Sequence, residues 1–135
     1  MRIKSFEIKS YHNKLQGLSI QAKPLVICLD KGEYLYPKKF HSIDISDAIE
    51  FESGLGRILQ ITYNDIIVAS EKDILMLEYE IPEECKQFAI LYHIVDIAKN
   101  LEWIYAEVYK GFKKILTTKL NPPIEDAIKE LSHYV

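Results

Sequence analysis

The chain has 135 residues, the size of one domain, with 48% hydrophobic and 27% charged residues, a globular balance long enough to bury a core. Lys and Arg number 17 against 20 Asp and Glu, a net charge of −3, which excludes the basic surplus of a general nucleic-acid binder. No apolar run approaches the roughly 20 residues that span a bilayer, and Met1-Arg2-Ile3-Lys4-Ser5-Phe6 lacks the apolar core of a signal peptide, so the expectation is a soluble cytoplasmic protein without membrane insertion.

Residues 2–10 place Ile3, Phe6 and Ile8 between Lys4 and Lys9, a half-buried first strand. In residues 14–30, Leu15, Leu18, Leu25, Val26 and Leu29 share a helical face, but Gly17 and Pro24 divide it. The preferred reading is two short helical pieces meeting near Pro24, although Leu18-Ser19-Ile20-Gln21-Ala22 would also pass as a strand. Asp30-Lys31-Gly32 signals a turn, and Pro37 biases Tyr36 towards an extended backbone. A second strand is predicted over 41–52 and a third over 57–63, joined tightly by Gly54-Leu55-Gly56. Two more follow, 66–69 and 74–81. Short connections make such neighbours antiparallel. Leu59, Ile61 and Tyr63, with Leu75, Leu77, Tyr79 and Ile81, take the inner face. Glu78 and Glu80 mark the other as wetter.

Residues 82–120 admit two readings. By period, Phe88, Leu91, Ile94, Leu101, Tyr105, Val108 and Phe112 trace one long amphipathic helix. By propensity, 87–97 is rich in β-branched and aromatic residues and reads as a strand, with Asn100 capping a later helix. Either way 101–120 reads as helix, with Leu101, Ile104, Tyr105, Val108, Phe112, Ile115 and Leu116 as its apolar stripe. Asn121-Pro122-Pro123 stops it, and 124–134 reads as a short terminal helix carrying Ile124, Ile128 and Leu131.

Cys28 and Cys85 have no CxxC spacing, which argues against a zinc site and a disulfide framework. Their apolar neighbours suggest buried free thiols. His12, His41, His93 and His133 form no i,i+4 pair and no HExxH, so no metal site is expected. No GxSxG elbow accompanies any serine. At the glycine turn, N–H groups of 54–57 and Arg57 could meet a phosphate. A P-loop needs a following helix and a Lys-Ser/Thr pair, so a plain hairpin turn is preferred.

Two stretches carry a resemblance. Leu29-Asp30-Lys31-Gly32-Glu33-Tyr34-Leu35-Tyr36-Pro37-Lys38 resembles the loop before the second strand in the birch-pollen-allergen family. Residues 49–63, around Gly54-Leu55-Gly56-Arg57, resemble that family's glycine-rich loop and flanking strands. The family belongs to the START superfamily, with polyketide cyclases and lipid-transfer domains. The resemblance implies an α+β helix-grip fold over 1–135, in which a curved antiparallel β-sheet wraps around a long C-terminal α-helix, with a short extra helix at 122–135. It favours strand 87–97 followed by helix 101–120. The segment 79–100 is short for the family and the tail is long.

The implied function is binding of a hydrophobic or amphipathic small molecule between sheet and helix. The expected lining is Leu59, Ile61, Tyr63, Leu77, Tyr79, Tyr105, Val108 and Phe112, with Gly54, Gly56 and Arg57 at the rim. Lys38, Lys39, Arg57, Lys110, Lys113 and Lys114 would suit an anionic head, such as coenzyme A, an acyl-CoA or a fatty acid. No cofactor is required for this, and a homodimer is compatible with it. Two alternatives stand beside it. One is a polyketide cyclase- or thioester hydrolase-like enzyme using His93 and Tyr79 as acid or base. The other is an interaction protein dimerising through an unbroken helix over 83–119.

Overall fold

A computed structural model of the chain describes residues 1–13, 17–42 and 74–134. Eight strands lie among them: β1 (Arg2–Asn13), β2 (Leu18–Cys28), β3 (Glu33–Leu35), β4 (Lys39–Ser42), β5 (Ile74–Glu80), β6 (Gln87–Asp96), β7 (Leu101–Lys110) and β8 (Lys113–Leu120). A helix, α1 (Ile124–Leu131), and a single 3-10 turn close the described chain. The strands form one antiparallel sheet in the order β4-β5-β1-β2-β6-β7-β8, with β3 paired to β2 off this path.

The helix-grip expectation is overturned. Residues 101–120 are not a helix but the β7–β8 hairpin, and α1 has only eight residues. Gly111 turns the hairpin with φ 60°, a left-handed conformation at which a side chain is strained. Asn100 also has positive φ, 52°, and sits in the β6–β7 turn rather than at a helix N-cap. The same pairing removes the unbroken helix over 83–119, because β6 and β7 are hydrogen-bonded along ten residue pairs from Gln87↔Lys110 to Asp96↔Leu101.

The region 14–30 is also corrected, because β2 is one strand from Leu18 to Cys28 that contains Pro24. Proline donates nothing to a ladder and is tolerated where a strand edge is open. On the side of β2 away from β6, β1 pairs with 18–22 and β3 with 26–28. Pro24 falls between the two, where neither described pairing asks for its missing N–H. The first strand, strand 74–81, strand 87–97 and the terminal helix are found close to their predicted bounds. The strands expected at 57–63 and 66–69, and most of 41–52, lie outside the described residues.

Two apolar clusters use the two faces of β6 and β7. Phe88, Ile90, Tyr92 and Ile94 of β6 join Val26 and Cys28 of β2, Phe6 and Ile8 of β1, and Met76, Leu77 and Tyr79 of β5. Trp103, Tyr105 and Tyr109 of β7 pack against them. On the opposite face Ala89, Leu91, Ile104, Ala106 and Val108 meet Ala127 and Leu131 of α1. The helix therefore covers one side of the sheet. Glu125 and Asp126 in its first turn and Lys129 in its last complement its dipole.

Cys28 and Cys85 are buried as expected, but they are not free. They form a disulfide, with Cα atoms 5.9 Å apart. It ties the end of β2 to the turn that leads into β6. Asp30 supports the same junction, its two carboxylate oxygens accepting the Lys86 and Gln87 N–H groups at 2.8 and 2.9 Å.

Candidate functional site

Three of the expected lining residues keep company. Leu77, Tyr79 and Tyr105 all belong to the cluster on the face away from α1. Val108 does not join them, because on a strand it points opposite to Tyr105 and Tyr109 and packs beneath α1. Phe112 does not line a core at all: it stands 85% exposed at the tip of the β7–β8 hairpin. Gly54, Gly56, Arg57, Leu59, Ile61 and Tyr63 lie outside the described residues.

Phe112 does border a groove at the end of the sheet. Met1, Ile81, Pro82 and Phe112 supply apolar surface, Lys86 and Lys110 flank it, and its volume is about 490 Å³. Glu83 and Cys85 complete that wall. Backbone pairing holds the groove's sides together. The Gly111 N–H donates to the Lys86 carbonyl at 3.2 Å, and the Ile81 N–H donates to the Met1 carbonyl at 2.7 Å. The disulfide fixes Cys85 from behind. The groove thus sets apolar side chains beside two ammonium groups, Lys86 and Lys110, and one carboxylate, Glu83.

Lys38 and Lys39 line a different groove, beside Arg2, Glu78 and Tyr79. They do not join Lys110 in one rim. The candidate acid–base pair is also divided. Tyr79 borders the groove of Lys38, whereas His93 lines another with Lys9, Gln21 and Lys23. His93 Nε2 lies 3.2 Å from Glu102 Oε1. The Tyr79 hydroxyl is raised above the usual phenol range by burial, against a hydrogen bond with Ser5 that lowers it and the charge of Glu7 that raises it.

A second polar centre escaped sequence reasoning. Glu107 is 3% exposed, yet it lies on the same face of β7 as Trp103, Tyr105 and Tyr109. Its ion-pair partner is Lys114 of the edge strand β8, which keeps 41% of its side chain in solvent. Burial is the main cause that raises the hydroxyls of Tyr92 and Tyr109 above the usual phenol range, with Glu107 adding to it, and Tyr92 is raised most. The hydrogen bond to Glu107 raises Lys114 in turn. Tyr92 and Tyr105 lie 6.3 Å apart at a tilt, and Tyr109 stacks on Phe88 at 5.0 Å. Lys119 places its ammonium 5.2 Å from the Trp103 ring centroid. Read with a period of two, residues 103, 105, 107 and 109 would have put an acid among aromatic side chains.

No helix among the described residues is long and apolar enough to cross a membrane. Compared with known proteins, the chain matches no family model, no curated protein and no solved structure.

Proposed function

We propose that this protein binds an amphipathic small molecule with an anionic head in the groove between the β5–β6 turn and the β7–β8 hairpin. The observation that carries this is the groove itself: about 490 Å³, apolar at Met1, Ile81, Pro82 and Phe112, and flanked by Lys86 and Lys110. That volume falls within the range of small-ligand sites. An acyl chain would cover Phe112, whose exposure leaves nearly a whole ring of apolar surface for a ligand to remove from water. The two lysines would hold a carboxylate or phosphate, as point charges rather than by bidentate geometry. An acyl-CoA and a free fatty acid both carry this chemistry.

The test is calorimetric titration with decanoyl-CoA, decanoate and decanol. Binding of the two anions, weakened about tenfold or more by Phe112→Ala, is the expected result. Lys110→Glu should weaken both anions and leave decanol nearly unchanged. Failure of all three ligands to bind, or anion binding indifferent to both substitutions, would remove this reading. The enzyme alternative is favoured by no observation among the described residues, since His93 and Tyr79 border different grooves.

A further inference from the structure

The Cys28–Cys85 disulfide lies beside a third metal-ligating group. The sulfur atoms of Cys28 and Cys85 and a carboxylate oxygen of Asp30 all lie within 4.8 Å of one another. The cysteines are buried and Asp30 is exposed. We propose that the same three residues form a zinc site when the disulfide is reduced, so that this junction is closed either by a covalent bond or by a metal ion.

The chemistry favours zinc. Two thiolates and a carboxylate are a soft-to-borderline donor set, and thiolate ligands select Zn²⁺ over Mg²⁺ or Ca²⁺. On one tetrahedral zinc, with Zn–S about 2.3 Å and Zn–O about 2.0–2.2 Å, neighbouring ligand atoms stand about 3.5–3.8 Å apart. A set already within 4.8 Å reaches that spacing by small side-chain shifts once the sulfurs are released from each other. The exposed side of Asp30 leaves the fourth position to water. Asp30 is also held in place, since its oxygens accept the Lys86 and Gln87 N–H groups, the kind of outer hydrogen bonding that orients a ligating carboxylate.

The exchange balances without further parts. A dithiol reductant supplies two electrons and two protons and itself closes to a disulfide, while a phosphine supplies the two electrons, takes oxygen from water to become its oxide, and leaves water's two protons on the sulfurs. The Cys28–Cys85 S–S bond breaks and two thiols form. Zinc binding then releases both thiol protons, which makes the metal form favoured as pH rises through the thiol range.

The full chain would be reduced with a phosphine, and Co²⁺ added as a spectroscopic probe before displacement by Zn²⁺. The expected result is one Co²⁺ per chain with thiolate-to-cobalt charge-transfer absorption, bleached by one equivalent of Zn²⁺. The oxidised protein should give none of it, which serves as a control without any substitution. Asp30→Asn should weaken Co²⁺ binding at least tenfold in the reduced protein. Cys28→Ser should abolish the charge-transfer band. Equal metal binding by oxidised and reduced protein, no band on reduction, or a band whose affinity Asp30→Asn leaves unchanged would each overturn the three-ligand assignment. Circular dichroism on the same samples guards the reading: a reduced chain that stays unfolded with excess Zn²⁺ also counts against it.

Discussion

The disulfide has a stability effect whose size can be worked from its place in the chain. Cys28 and Cys85 are 57 residues apart in sequence, so the bridge removes a long loop from the unfolded ensemble. In the chain-entropy treatment that constraint amounts to about 4 kcal/mol at 25 °C. A chain of 135 residues unfolds with an entropy of about 0.28 kcal/mol/K, so the loss corresponds to a fall in Tm of about 15 °C. The perturbation is the double substitution Cys28→Ala/Cys85→Ala, which removes the bridge without leaving a reactive thiol. Thermal and urea unfolding would be followed in the absence of reductant and metal. The urea m-value should also rise, because an uncrosslinked unfolded chain exposes more surface. Wild-type protein treated with a phosphine should reproduce most of the change. Two titratable thiols in the denatured, unreduced wild type would refute the bridge. A double variant with the Tm of the oxidised wild type would refute its energetic role.

Four further outcomes follow from particular residues. Leu131 is wholly buried under the sheet, so Leu131→Ala should cost about 2–5 kcal/mol in urea unfolding and free α1 from the face of Leu91 and Ile104. Asp30→Ala should cost about 1–2 kcal/mol by the same measurement, since two backbone N–H groups lose their acceptor. Gly111→Ala should cost about 1 kcal/mol through its φ of 60° alone, because open space surrounds the added methyl group; circular dichroism should show the sheet unchanged. Tyr92, Tyr109 and Lys114 all have raised folded-state values. Their contribution is therefore intact below about pH 10 and is lost as pH rises beyond it through the folded values. Unfolding free energies measured upward from about pH 9 should fall, and fall less steeply in Tyr92→Phe; a steeper fall in that variant would contradict the assignment.

The strands with mixed composition were legible, and the strands buried on both faces were not all so. Alternation placed β1 and β5, and the β-branched and aromatic run Phe88-Ala89-Ile90-Leu91-Tyr92 identified β6. β7 misled because both of its faces are largely apolar: Ile104, Ala106 and Val108 face α1, while Trp103, Tyr105 and Tyr109 face away. A nearly continuous apolar strand satisfies a helical period as readily as a period of two. Gly111 was the local sign against a helix through 101–120, and it marks the hairpin turn. Pro24 similarly pointed away from a strand, since the gap between described pairings that accommodates it is set by β1 and β3, whose pairing with β2 is not written in the local sequence. The disulfide gave no spacing signal, for its partners meet only because β2 and β6 are paired from Ile20↔Asp96 to Cys28↔Phe88. At the groove, Phe112 and Lys110 were picked out from sequence, whereas Lys86, Ile81 and Pro82 join them only through tertiary placement.

Glu107 and its partner show how the ladder itself sets the electrostatics. On β7 the side of Glu107 is fixed by Val108, which must lie under α1, so its neighbour in sequence must face the other way. A one-residue slip of β7 would turn Glu107 to the α1 side and lift Ile104, Ala106 and Val108 out of their cluster. A buried carboxylate then needs a cation, because desolvation alone costs several kcal/mol. Lys119, opposite Tyr105 on that face, is turned to the Trp103 ring, and a regular ladder would not bring Lys114 there. Val108 pairs with Leu116, and continued pairing would set Ile115 opposite Tyr109 and turn Lys114 to the other face. Instead the register shifts there, Tyr109 pairs with Lys114, and Ile115 is left as the extra residue of a bulge. The shift thus brings the Lys114 ammonium to Glu107 and to within 5.9 Å of the Tyr109 ring centroid.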